Sequence, residues 1–131
     1  MTDTRITFDH IHLISKDPAA AASWYVEKLG GEITDSFDNK GTTQYVVTLE
    51  GLTLLIRGRR PGEASGGTED LQWDTNHFGF HVDGDFEGFC DTLRQQGVPF
   101  ILDPVDYRPG LRIAFIAAPD NVKIELLQRT G

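Results

Sequence analysis

Two stretches of the chain alternate between polar and apolar residues as a strand with one buried face does. Residues 75–83 (TNHFGFHVD) place His77, Gly79 and His81 on one face of a strand and mainly phenylalanine and valine on the other. Residues 6–15 (ITFDHIHLIS) also alternate, with His10 and His12 on one face. In residues 75–83 the apolar face needs a covering helix or core, which leaves the histidine face available for chemistry.

Each of these strands is followed by a predicted helix. The first has Asp17 as N-cap and ends at Gly30 or Gly31, and the second has Asp85 as N-cap and ends at Gly97. Three further strands follow each helix because short apolar runs are separated there by Gly, Asn, Asp and Pro. These strands are predicted at residues 31–38, 42–50 and 52–58, and again at 98–104, 111–118 and 121–128.

The order strand–helix–strand–strand–strand therefore occurs twice. His10 and His77 are 67 positions apart, and Gly30 and Gly97 have the same separation. Agreement of several landmarks at one offset indicates an internal repeat. We predict an α+β fold in which two βαβββ modules form an open, cup-shaped mixed sheet with the helices outside.

The repeat also sets the predicted domain organisation. We predict a single domain over residues 1–131, with module one at 5–58 and module two at 74–129. Residues 59–73 between them are rich in glycine and charge and have no periodicity, so they are predicted to be an exposed linker.

Composition narrows the class of protein. The 131 residues carry 20 acidic and 12 basic side chains, and the net charge of −8 argues against nucleic acid as a partner. The single cysteine, Cys90, excludes an intramolecular disulfide and is expected to be a buried thiol in the second helix. No apolar run is long enough for a membrane span, and we expect a cytoplasmic protein without a membrane partner.

A carboxylate in the last strand identifies a candidate site. In VKIELLQ, residues 122–128, Glu125 interrupts an apolar strand and needs a cationic partner if it is buried. His10 and His77 occupy equivalent positions, so a pseudo-twofold relation would direct both to one point. Two imidazoles and a carboxylate are a typical set of metal ligands. Hydrogen bonds at strand ends for the histidines, and an ion pair with Lys123 for Glu125, are the alternatives.

Three motifs in this order resemble the vicinal oxygen chelate superfamily, the glyoxalase, bleomycin-resistance and extradiol dioxygenase group. They are DHIHL at 9–13, NHFGFHV at 76–82 and PDNVKIELLQ at 119–128. The resemblance implies that His10, His77 and Glu125 hold a divalent metal ion, which could be Fe, Mn, Ni, Co, Zn or Mg. It also implies a small-molecule substrate and a homodimer.

One position of this chain lacks a metal ligand that some members of that family have. Glyoxalase I and methylmalonyl-CoA epimerase take a fourth protein ligand from the fourth strand, and the corresponding position here falls near Leu55. A three-ligand site would leave about three open positions on an octahedral metal. Within the family this pattern is closer to the dioxygenases and the fosfomycin-resistance enzymes.

Six other residues are predicted to take part. His12 and His81 share the histidine faces and are candidates for proton transfer, with polar core residues as the alternative. Tyr107 and Arg108 precede the seventh strand in a loop that would close over the cleft, where the arginine would bind a carboxylate or phosphate. The alternative for them is a solvent-exposed turn. Tyr45 and Arg112 are predicted to form part of the pocket wall.

The leading functional hypothesis is a glyoxalase-like enzyme in which the metal is a Lewis acid for a lyase, isomerase or epimerase reaction. The alternatives are an extradiol-type Fe(II) dioxygenase, metal-assisted addition to an antibiotic epoxide, and a metal-free drug- or metabolite-binding module. Bound iron with oxygen uptake would separate the dioxygenase from the other enzymes.

Overall fold

The chain forms two compact units. The computed structural model describes residues 8–63 and 76–130. The units are Met1–Ser65 and Gly66–Gly131, and they contain the predicted modules one and two. The start of predicted module one at 5–7, most of the predicted linker and residues 74–75 lie outside the described residues.

Module one is a four-stranded mixed sheet with one helix. Strand β1 is parallel to β4, the other neighbours are antiparallel, and the strand order is β1-β4-β3-β2. Its elements are β1 Ile11–Ile14, α1 Pro18–Leu29, β2 Glu32–Asp38, β3 Thr43–Leu49 and β4 Leu52–Arg57.

Module two repeats this architecture. Its strand order is β5-β8-β7-β6, and β5 is parallel to β8 as β1 is to β4. Its elements are β5 Phe78–His81, α2 Phe86–Gln95, β6 Phe100–Arg108, β7 Leu111–Ala118, a short 3-10 turn at Pro119–Asn121, and β8 Val122–Arg129. The prediction of an α+β fold built from two βαβββ modules is confirmed.

Both helices begin where their capping residues predict. The Asp17 side chain accepts a hydrogen bond from the backbone N–H of Ala20 at 3.1 Å, and Asp85 accepts one from Gly88 at 3.0 Å. Helix α1 ends at Gly30, whose φ of 77° is the left-handed conformation that glycine adopts without strain. These local signals place each helix directly after its first strand.

Each helix covers one face of its own sheet. In module two the covered face carries Ile124 and Leu126, at most 1% exposed, and in module one it carries Leu54 and Ile56, both fully buried. The free thiol of Cys90 on α2 is also fully buried, as predicted, and burial raises its pKa to about 11. We call the other side of each sheet, which the module's own helix does not cover, its open face.

Strand β6 extends beyond its predicted end. The sequence predicts a strand at 98–104 and then a loop to residue 110, but the strand is continuous from Phe100 to Arg108. Proline is compatible with β6 because this is the edge strand of its sheet, where Pro104 need not donate a ladder hydrogen bond. The loop contracts to a tight turn at Pro109–Gly110, where Gly110 has φ 79°.

Candidate metal centre

The strand register makes Glu125 and Leu55 equivalent positions. Gly79 on β5 is the direct neighbour of Glu125 on β8, and His12 on β1 is the direct neighbour of Leu55 on β4. In each module this pair is the second pair of the parallel ladder between the first and the last strand. Module one therefore has a leucine where module two has the carboxylate, in agreement with the sequence-based assignment of Leu55.

Alternation along β8 puts Glu125 on the open face. Ile124 and Leu126 on either side of it are buried beneath α2, whereas Glu125 and Leu127 are half-buried. Glu125 therefore interrupts the apolar strand, as the sequence indicates, on the face that α2 does not cover.

Glu125 lies next to His77. The His77 Nε2 atom is 3.3 Å from the Glu125 Oε1 atom, and the two side chains are 32% and 20% exposed. Two ligand atoms at adjacent corners of an octahedral site, each about 2.1 Å from the metal, are about 3.0 Å apart. The observed separation is therefore close to that of two atoms that share one divalent ion.

Two neighbours hold the His77 ring in this position. Its Nδ1 atom is 2.8 Å from the side-chain oxygen of Asn76, and the ring stands edge-on to Phe115 with centroids 4.9 Å apart at 85°. An amide oxygen only accepts hydrogen bonds, so Nδ1 carries the hydrogen. In the neutral ring the Nε2 lone pair then faces the Glu125 carboxylate, an arrangement that needs a proton or a metal cation between the two atoms.

His10 has the same local arrangement in module one. Its Nδ1 atom is 2.7 Å from a carboxylate oxygen of Asp9, the residue that precedes it as Asn76 precedes His77. The carboxylate accepts the Nδ1 hydrogen, which leaves Nε2 as the electron-donating atom. The His10 side chain is 39% exposed.

Within a single module, the structure brings together two of the predicted ligands, His77 and Glu125. Across residues 8–63 and 76–130, no group of three or more His, Cys, Asp and Glu side chains is placed to hold a metal ion. The pair His77–Glu125 belongs to module two, and His10 belongs to module one. The complete three-residue site remains a prediction.

The second histidines of the two strands, His12 and His81, are both exposed. His12 lies on the open face of module one, where desolvation and then the nearby charge of Arg57 lower its pKa. His81 is exposed at the end of β5, next to Leu127 of β8. Their proposed roles in proton transfer stay predictions.

Arg57 near His12 is held by Glu63, a contact that the sequence did not indicate. The guanidinium binds both carboxylate oxygens of Glu63, at 2.8 and 3.1 Å, and Glu63 also accepts a hydrogen bond from the backbone N–H of Arg60 at 2.7 Å. The hydrogen bond from Arg57 and then that from Arg60 lower the pKa of Glu63 from 4.5 to about 2. The described beginning of the predicted linker is therefore attached to module one.

This ion pair predicts an acid-dependent loss of stability. Because the pKa of Glu63 is lower in the folded protein, its stabilising effect is complete above the unfolded value of 4.5 and is lost as the pH falls towards about 2. We expect Glu63→Gln to be less stable than the wild type at neutral pH, with the difference disappearing through this acid range. Urea unfolding across the range measures it, with the exposed turn variant Glu50→Gln as control. A difference independent of pH would contradict the ion-pair explanation.

Two residues predicted to form the pocket wall lie on the helix side of their sheets. Tyr45 is the direct neighbour of buried Ile56, so the two share the face beneath α1. Arg112 contacts Glu87 of α2 and donates a hydrogen bond to Asp106 at 3.0 Å. Neither belongs to the open face that carries the candidate metal ligands, so neither is part of the site proposed below.

Tyr107 and Arg108 lie at the end of β6 rather than in a loop. Tyr107 is 70% exposed and follows Asp106 at an irregularity in the pairing with β7. Arg108 pairs with Leu111 and is exposed beside the turn. Both residues are exposed, and their predicted roles in substrate binding stay predictions.

A family comparison agrees with this architecture. The model of the Glyoxalase/Bleomycin resistance protein/Dioxygenase superfamily matches residues 7–126. The chain belongs to this superfamily. The resemblance inferred from the three motifs is thereby confirmed.

Solved structures of the same superfamily are similar in fold. A glyoxylase/bleomycin resistance protein/dioxygenase domain from Frankia sp. EAN1pec has 19% identity and a TM-score of 0.79, covering 97% of this chain and 94% of that one. Glyoxalase I of Leishmania major has 20% identity and a TM-score of 0.69, with coverage of 91% and 84%. The fosfomycin resistance protein FosX of Listeria monocytogenes, complexed with Mn(II) and a sulfate ion, has 18% identity and a TM-score of 0.72, with coverage of 97% and 95%.

No curated protein sequence matches the chain. Among the described helices, none has the length and apolar character required to cross a membrane.

Proposed function

We propose that this superfamily member is a metal-dependent enzyme of the glyoxalase-like type that acts on a small, oxygen-rich substrate. The proposed ligands are His77, Glu125 and His10, and the proposed reaction is a lyase, isomerase or epimerase step. The observation that carries the proposal is the approach of the His77 Nε2 atom to the Glu125 Oε1 atom at 3.3 Å.

The hydrogen-bond direction at His77 supports a cation at this position. Asn76 accepts the Nδ1 hydrogen, so in the neutral ring Nε2 is the nitrogen that faces the carboxylate with its lone pair. A divalent ion would bind both atoms, because neutral imidazole and carboxylate are both ordinary ligands of such ions.

His10 is proposed as the third ligand. It precedes β1 by one residue as His77 precedes β5, and Asp9 accepts its Nδ1 hydrogen and leaves Nε2 available. The presence of Mn(II) in the related FosX structure supports a divalent ion.

The bound ion would supply Lewis-acid polarisation of the substrate oxygens. The chain would supply access through Gly79, directly opposite Glu125. A Cβ atom at Gly79 would lie 3.2 Å from the backbone oxygen of Glu125 and 3.3 Å from its Cβ, so a side chain there would crowd the carboxylate. His12 or His81 on the open faces is proposed to move the substrate proton.

A second candidate function is an extradiol-type Fe(II) dioxygenase. Leu55 stands where module two has Glu125, so module one offers no carboxylate at that position. Two histidines and one carboxylate with open positions are the ligand set of non-haem Fe(II) oxygenases.

The experiment that tests the proposed site is metal analysis of protein purified without chelator. We expect about one divalent ion per chain in the wild type, and loss of that ion from His77→Ala because ligand removal lowers metal affinity by at least about 100-fold. His81→Ala is the matched control, since it removes a histidine from the same strand and is expected to retain the metal. Bound iron together with oxygen uptake in the presence of catechols would favour the dioxygenase. Another bound metal without oxygen uptake would favour the lyase, isomerase or epimerase. Metal retained by His77→Ala would contradict the site.

A further inference from the structure

Two arginines of module two line a shallow hollow at the turn between β6 and β7. The hollow is open to solvent and lies beside the tight turn at Pro109–Gly110. Its lining residues are Arg108, Pro109, Gly110, Leu111, Arg129 and Thr130. The two guanidinium groups are the charged groups of this lining.

These arginines differ from the other two arginines of module two. Arg94 binds Asp91 and Asp103, and Arg112 binds Glu87 and Asp106. Within the part of the chain that the structure describes, Arg108 and Arg129 have neither an ion pair nor a side-chain hydrogen bond. Two unneutralised cations beside one hollow, in a protein of net charge −8, favour the binding of an anion.

The backbone holds the two arginines beside each other. Leu111 pairs with Arg108 on one side and with Arg129 on the other, and the Thr130 N–H donates to the Gly110 carbonyl at 2.9 Å. A Cβ atom at Gly110 would lie only 2.8 Å from the Thr130 oxygen, so the turn needs glycine. This close backbone contact between Gly110 and Thr130 sets the separation of β6 and β8, which carry Arg108 and Arg129 on either side of β7.

The hollow is on the same open face as the candidate metal ligands of module two. Glu125, Leu127 and Arg129 are alternate residues of β8 and therefore point to one side of the sheet. Arg129 is four positions after Glu125 on the strand, a distance of about 13 Å at the usual rise per residue. One extended molecule on this face could contact both positions.

We propose that Arg108 and Arg129 form an oxyanion subsite for the substrate. The substrate would be elongated, with a terminal carboxylate or phosphate bound by the two guanidinium groups and an oxygen-rich end at His77 and Glu125. Arginine suits the first end because its planar N–H groups match both anions in bidentate geometry. The substrate assignment depends on the proposed function, whereas the anion subsite itself does not require a bound metal.

The first test uses inorganic phosphate and metal-free protein. In NMR titrations we expect phosphate to shift the backbone amide signals of Gly110, Leu111 and Thr130. The double variant Arg108→Gln/Arg129→Gln is expected to bind phosphate at least about tenfold more weakly, since both charge-assisted contacts are lost. Lys123→Gln is the matched control, because Lys123 is an exposed cation on the same face of β8, on the other side of Glu125. An equal loss in Lys123→Gln, or shifts confined to other residues, would overturn the subsite.

The second test connects the subsite with the metal centre. Metal-loaded protein is titrated with hydroxamic acids of graded chain length, with and without a terminal carboxylate. We expect one chain length at which the carboxylate tightens binding about tenfold, and we expect the double variant to lose this gain. A gain that persists in the double variant, or no gain at any length, would contradict the extended substrate. Failure of even the uncharged hydroxamates to bind, with phosphate binding intact, would contradict the proposed metal centre and leave the anion subsite supported.

Discussion

Replacement of Glu125 by glutamine is expected to abolish metal binding and activity. The substitution removes a proposed ligand, which should lower divalent-metal affinity by at least about 100-fold. It also removes the negative charge of the carboxylate whose Oε1 atom lies 3.3 Å from the His77 Nε2 atom, a contact that the metal-free protein can keep only with a proton between the two atoms. Isothermal titration calorimetry with the metal and urea unfolding of metal-free protein measure the two effects.

The stability measurement separates the metal site from an ordinary hydrogen bond. If a proton on Nε2 joins His77 to Glu125 in the metal-free protein, the substitution weakens a hydrogen bond to a charged group and costs about 1.5–3 kcal/mol. Such a loss without any change in metal affinity would contradict the metal site. Glu125→Asp is the control that retains the charge, and it should keep more metal affinity than Glu125→Gln.

Leu54→Ala is expected to destabilise the protein by about 2–5 kcal/mol, the usual cost of a cavity at a fully buried leucine. Leu54 has no exposed surface beneath α1, whereas its neighbour Leu55 is half-buried on the open face. Leu55→Ala is therefore the matched control, with an expected cost below about 1.5 kcal/mol because less apolar surface is lost. Urea unfolding of both variants measures the difference. Ile124→Ala should repeat the large effect in module two because Ile124 is equally buried.

This comparison tests which face of β4 is the open face. A shift of one residue in strand register would exchange the environments of Leu54 and Leu55. Equal costs for the two alanine variants, or a larger cost at Leu55, would show that the assigned faces are wrong. The equivalence of Leu55 and Glu125 would then be lost as well.

The sequence predicts the repeated architecture because its signals are local. Asp17 and Asp85 have side chains that cap helices, and Gly30 adopts the left-handed conformation that ends one. The alternation of Ile124, Glu125 and Leu126 likewise reports burial directly, since a strand has a period of two. These features require no knowledge of distant parts of the chain.

Features that depend on strand pairing were less accessible. The sequence predicts Tyr45 and Arg112 in the pocket wall, but the face on which each lies follows from its partner in the neighbouring strand, Ile56 for Tyr45 and Gln128 for Arg112. The end of β6 depends on bulges opposite β7, which have no clear signal in a single sequence. The position of Arg129 beside Arg108 also has no signal in the sequence, since it results from the pairing of both residues with Leu111.

The residues next to the predicted ligands were also not anticipated. Asp9 and Asn76 precede His10 and His77 in the sequence, but a preceding polar residue on a strand usually points to the opposite side. The hydrogen bonds to the two Nδ1 atoms became evident only from the positions of the side chains just outside β1 and β5. DH and NH at equivalent places in the repeat were the available signal.

The division of β4 and β8 between a core face and an open face has an evolutionary consequence. Leu54 and Ile124 are fully buried beneath the helices, while the adjacent positions 55 and 125 lie on the open faces and are half-buried. After a gene duplication, either copy could gain or lose an acidic side chain at this position without replacing a residue of the core beneath its helix. Descendants of one ancestral half could in this way acquire different coordination numbers, and new reactions, through single substitutions.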